Sequence, residues 1–160
     1  MIKFTTTAVT FEEIPTEVTL SLAISNCRGN CPGCHSPELR GDNGIELTTE
    51  VLDALIQKNS GVSCVLFLGE GNNASDLIKM AERVRNHWKL HVALYSGREC
   101  IEDELWECFD YIKLGPYIES LGPLNKVTTN QRLYRYSPWY SDVSCGRKGW
   151  RDITSLFWRK

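Results

Sequence analysis

Cys27, Cys31 and Cys34 put three thiols within eight residues, in the stretch "NCRGNCPGCHSPEL" that runs from residue 26 to 39. Sulfurs spaced so closely suggest a metal or catalysis. The chain has seven cysteines, an odd number. Its first residues, "MIKFTTTAVTFEEIPTE", lack the basic start and apolar stretch of a secretory signal, so a cytoplasmic chain with reduced thiols is expected. A disulfide framework is then the poorer reading. Zinc asks for four tetrahedral ligands, usually as two separated pairs. Here Cys27, Cys31, Cys34 and His35 would have to supply all four within nine residues, with adjacent side chains turned onto one ion. A [4Fe–4S] cube fits better, because thiolates on a short loop are its standard ligands. Three cysteines hold three corners and leave one iron open to an outside ligand. An electron carrier normally fills that corner, so an open one implies chemistry there.

The C-x3-C-x2-C spacing resembles the signature of the radical S-adenosylmethionine enzymes. That resemblance implies that the cofactor's amino and carboxylate groups chelate the open iron. It also implies that an electron from the cluster breaks the sulfonium bond to give a 5'-deoxyadenosyl radical. Family members carry a glycine-glycine-acid turn after the next strand, which binds the cofactor's amino group. "LGEG" stands there in this chain: Gly69 and Glu70 match the second glycine and the acid, and Leu68 replaces the first glycine. Ser96 is placed to hydrogen-bond the ribose or carboxylate, Lys113 to reach the carboxylate, and His35 to pack near the cluster or adenine. Gly33 stands where many relatives have an aromatic ring.

"CPGCHSPEL" and "YIKLGPYIESLGPLNKVTTNQRLYRY", with Asn130, Gln131 and Arg132, look like the activating protein of the anaerobic ribonucleoside-triphosphate reductase. The likeness covers most of residues 15 to 136. It implies removal of a hydrogen atom from a glycine of the large reductase subunit, leaving a glycyl radical. The electron would come from a flavodoxin-like or other external donor. The alternatives are an activase for another glycyl-radical enzyme, a small-molecule radical enzyme such as the one that makes carboxy-deazaguanine, and a non-enzymatic zinc or iron–sulfur module.

Other elements must position these residues. At 160 residues the chain is expected to form a single domain, with a tail of unclear role from about residue 137. The net charge of -2 argues against nucleic-acid or anionic-membrane partners, and no apolar run approaches a membrane span. "EVTLSLAIS" (17–25) alternates as a strand leading into the cysteine loop. "TTEVLDALIQKN" (48–59) is an amphipathic helix capped by a threonine. "VSCVLFL" (62–68) reads as a strand buried on both faces, with Cys64 a small apolar residue inside it. Leu77, Ile78, Ala81, Val84 and Trp88 recur at helical spacing, and "LHVALY" (90–95) is the next strand. A short helix (101–109) and a strand (111–114) follow, and "RLYRY" is a further strand. Strand and helix alternate, so the expected fold is α/β, an open partial (β/α) barrel of about five to six mainly parallel strands. Every candidate site residue then follows or ends a strand, on the rim where α/β folds bind ligands. Tyr117, Tyr134, Tyr136 and Trp139 are candidate partner contacts.

Overall fold

The computed structural model describes residues 1–26 and 41–158. Its main sheet contains β1 (Lys3–Thr10), β2 (Thr19–Ile24), β3 (Ile45–Glu46), β4 (Cys64–Leu68), β5 (His91–Tyr95), β6 (Tyr111–Leu114), β7 (Arg132–Tyr136) and β10 (Trp150–Asp152). A separate hairpin pairs β8 (Val143–Ser144) with β9 (Arg147–Lys148). The sheet order is β10-β7-β6-β5-β4-β2-β1-β3. Only the central run β2-β4-β5-β6 is parallel; β1, β3, β7 and β10 flank it in antiparallel pairing.

The helices are α1 (Thr49–Lys58), α2 (Ala74–Glu82), which runs on into a π-helical turn at Arg83–His87, and α3 (Asp103–Cys108). Thr48 caps α1 by accepting from the Val51 amide at 3.2 Å, and Asn73 caps α2 by accepting from Asp76 at 3.1 Å. All three helices bury their apolar stripes on one face of the sheet. Leu52 and Ile56, Leu77 and Met80, and Leu105 and Trp106 meet Leu20, Leu22, Val65, Phe67, Val92 and Ile112 there. The alternate strand residues, Cys64, Leu66, Ala93, Tyr95, Tyr111 and Leu133, point to the other face. That face is covered by Ile14 and by Ile153, Leu156 and Phe157 of the C-terminal segment.

At the amino ends of the parallel strands Glu17, 7 % exposed, gathers three partners. Ser63 Oγ donates to it at 2.6 Å, Tyr111 Oη donates at 2.8 Å, and His91 Nδ1 lies at 2.5 Å. Burial pushes the Glu17 carboxyl up, but the hydrogen bonds from His91, Ser63 and Tyr111 outweigh it and the net shift is down. The bond to Glu17 raises His91 from its ordinary value of 6.5. His91 therefore stabilises fully below about pH 6.5, and this contribution is lost as pH rises through its elevated pKa. Glu17 stabilises above about pH 4.5 and loses that contribution as pH falls through its depressed pKa. Denaturant midpoints should be highest between those limits and fall toward pH 8. Glu17→Gln should flatten that slope, and an unchanged slope would mean that the pair does not set it.

Candidate functional site

The residues on either side of the cysteine segment meet at the carboxyl end of β2. Asn26 turns off the strand at φ 60°, its amide donates to Gly41 O at 2.9 Å, and its side chain donates to Asp42 at 3.1 Å. Lys3 of β1 holds Asp42 at 3.0 Å. Cys27, Cys31, Cys34 and His35 lie outside the described residues. The segment that carries them thus leaves and rejoins the described chain at one point beside the rim.

The next loops are stitched to one another by backbone bonds. Gly69 N donates to Tyr95 O at 3.0 Å, Ser96 N to Lys113 O at 2.9 Å, and Gly115 N to Arg98 O at 2.8 Å. Leu68 stays in strand register, opposite Ala23 on β2 and Tyr95 on β5. The left-handed turn falls on Gly69, at φ 108°, where a Cβ would sit 3.3 Å from Ile24 O. A leucine at the first position of this turn therefore costs no strain, whereas a side chain at Gly69 would.

This turn presents Glu70. Ser96, 1 % exposed, donates its hydroxyl to Glu70 Oε2 and accepts the Arg98 amide at 3.1 Å. Arg98 grips the same carboxylate with two bonds, Nε to Oε2 at 2.9 Å and Nη2 to Oε1 at 2.5 Å. The guanidinium also bonds Glu102, Nη1 to Oε1 at 3.0 Å and Nη2 to Oε2 at 2.6 Å. These bonds, Glu70's first, raise the Arg98 pKa further, so it stays charged. Glu70, Arg98 and Glu102 line a cleft of about 160 Å³ with Gly69, Gly71, Asn73 and Gly97.

Lys113 belongs to a different space. Its ammonium lies 4.9 Å from the centre of the Tyr95 ring and, with Leu68, Tyr117, Gln131 and Phe157, borders a cavity of about 850 Å³ on the side of the sheet away from the helices. Tyr95 is fixed by a hydrogen bond to the Glu13 carbonyl, and burial raises its phenol. The structure thus joins Gly69, Glu70 and Ser96 in one cluster, and Lys113 O accepts the Ser96 amide.

Arg98 and Glu102 did not stand out in the sequence. Asn130 and Gln131 anchor the loop after β6, donating to Pro116 O at 3.0 Å and Gly115 O at 3.4 Å. Of the aromatics considered as partner contacts, Tyr134 packs on Trp106 and Tyr136 on Trp150, while Trp139 is 91 % exposed.

The donor chemistry suits the groups expected. Glu70 accepts three bonds, two of them from Arg98, so its carboxylate already serves as the partner of a cation. Among the described residues no cluster of three or more His, Cys, Asp or Glu side chains forms another metal site. Cys64 is buried in β4 with its thiol raised by burial. Among the described residues no helix is long and apolar enough to cross a membrane.

No curated protein and no solved structure matches the chain. A family model, the 4Fe-4S single cluster domain, matches residues 16–134, a span that takes in the cysteine triplet, the Glu70 turn, Ser96, Lys113 and Asn130. Covering most of the chain and ending just short of its last strands, that match means that the chain belongs to the 4Fe-4S single cluster domain family.

Proposed function

We propose that this protein is a radical S-adenosylmethionine activase that generates a glycyl radical on the large subunit of the anaerobic ribonucleoside-triphosphate reductase. The observation that carries this reading is Glu70, a carboxylate fixed by Ser96 at the carboxyl end of a parallel strand and already engaged with a cationic side chain. The iron–sulfur family and the open corner implied by three cysteines support it. The one-sided placement of the helices supports reading the sheet as an open partial barrel.

In this reading Cys27, Cys31 and Cys34 hold a [4Fe–4S] cluster, and His35 packs beside it. Cluster and cofactor together supply a one-electron reductive cleavage that ends in removal of a hydrogen atom from glycine. The chain's own residues bind and orient. Glu70 accepts from the cofactor's amino group, and Ser96 keeps that carboxylate from rotating. Gly69 lets the turn pass close to β2. Lys113 places a positive charge at the edge of the larger cavity, and a flavodoxin-like or other external donor supplies the electron.

The test pairs binding with product. Reconstituted protein should bind S-adenosylmethionine, and Glu70→Gln should keep the cluster while weakening binding about tenfold, since a charge-assisted hydrogen bond becomes a neutral one. Under reductant the cognate large subunit should develop a glycyl doublet in electron paramagnetic resonance. If a purine-like small molecule is turned over instead and no glycyl signal forms, the activase reading fails.

A further inference from the structure

Arg98 sits on the carboxylate edge that the proposed function assigns to an incoming amino group. Its fork closes on Glu70 from one side, Nη2 at 2.5 Å and Nε at 2.9 Å, and on Glu102 from the other, at 2.6 and 3.0 Å. Two carboxylates share one guanidinium, which leaves the trio a net charge of -1. The three members differ in freedom. Glu70 is 19 % exposed and is also held by Ser96, whereas Arg98 is 43 % and Glu102 52 % exposed. Glu70 is therefore the fixed member and Arg98 the movable one. Its bonds to Glu102 mean that it can leave Glu70 without becoming an unpaired charge.

We propose that Arg98 is a displaceable occupant of the ammonium position on Glu70, and that Glu102 is the seat that keeps Arg98 when a ligand's primary amine arrives. This rests on the reading that Glu70 receives an amino group. It adds a specificity device. A ligand must present an ammonium able to replace a bidentate guanidinium, so a ligand without that amine leaves the pair closed. Gly69, Gly71 and Gly97 contribute no side chains to the cleft of about 160 Å³ beside the pair, so the head group has room to shift toward Glu102.

The pair of substitutions Arg98→Gln and Glu102→Gln separates this arrangement from a merely structural ion pair, because their effects should have opposite signs. Measured by calorimetry on reconstituted protein, Arg98→Gln should tighten S-adenosylmethionine binding about fivefold, since the ligand no longer competes with a charged bond. Glu102→Gln should weaken it by about the same factor, because Arg98 then has Glu70 as its only charged partner in the trio. The double variant should behave like Arg98→Gln. Weaker binding by Arg98→Gln, or no change with Glu102→Gln, overturns the proposal.

A second readout does not depend on adenosine. Methionine amide should shift the Arg98 Nε–H resonance in the wild type and leave it unmoved in Glu70→Gln. If that signal shifts but S-adenosylmethionine does not bind, the radical reading fails and the displacement stands. If it does not move, the displacement fails, whatever the cofactor result.

Discussion

Cys27→Ala, Cys31→Ala and Cys34→Ala should each abolish the iron–sulfur cluster, whereas Cys64→Ala should leave it intact. Anaerobically reconstituted wild type should hold about four irons per chain and show a broad brown charge-transfer absorbance. Under the proposed ligation, three thiolates leave one corner of the cube for an outside ligand and no protein sulfur in reserve. Removing any one leaves two irons without protein ligands. Cys64 makes the sharp control because it is fully buried in β4, and burial pushes its thiol pKa up, away from the thiolate that binds metal. Iron and sulfide assays with absorbance spectra check the set. A colourless wild type holding a single zinc would remove the cluster and the radical chemistry with it.

The parallel centre of the fold was legible because its signals are local. Residues 48–59 carry a capping threonine and an apolar stripe, and α1 occupies Thr49–Lys58. "VSCVLFL" is apolar on both faces, and β4 is buried on both. β1 carries no such local signal. Its "TTTAVT" stretch is largely exposed and lacks an alternating apolar signal, and pairing with β2 makes it a strand. The strands after residue 140 are two or three residues long, too short for any periodicity to register.

The candidate site divides in the same way. Glu70 and Ser96 could be placed because each follows a strand, and parallel strands deliver their carboxyl ends to one rim. Arg98 acquires its role only by meeting Glu70, 28 residues away, through the packing of two loops. No spacing rule encodes that meeting. Leu68 stands in the first glycine's place without backbone strain, because the positive φ lies on Gly69.

Trp150→Ala should cost about 3–5 kcal/mol of unfolding free energy, the range for deleting a large buried aromatic side chain. Trp150 is 3 % exposed and heads β10, opposite Tyr136 on β7. Its ring centre lies 4.9 Å from that of Trp106 on α3, nearly edge to face, and 5.5 Å from that of Tyr136. Arg147 of β9 lies over the Trp106 ring, 5.3 Å from its centre, and pairs with Asp103 of α3. The indole thus joins the last strand, the preceding hairpin and the helix before β6, and truncation leaves a cavity between layers that cannot close independently. Against a total stability of about 5–15 kcal/mol, that loss is a large fraction. Trp139→Ala removes the same ring from a side chain that is 91 % exposed, and should shift stability by less than about 0.5 kcal/mol. Urea unfolding followed by circular dichroism, with both variants loaded alike, compares the two. Equal midpoints would mean that residues after 137 lie outside the cooperative core; the expected gap makes β10 part of the same cooperative sheet as β6 and β7.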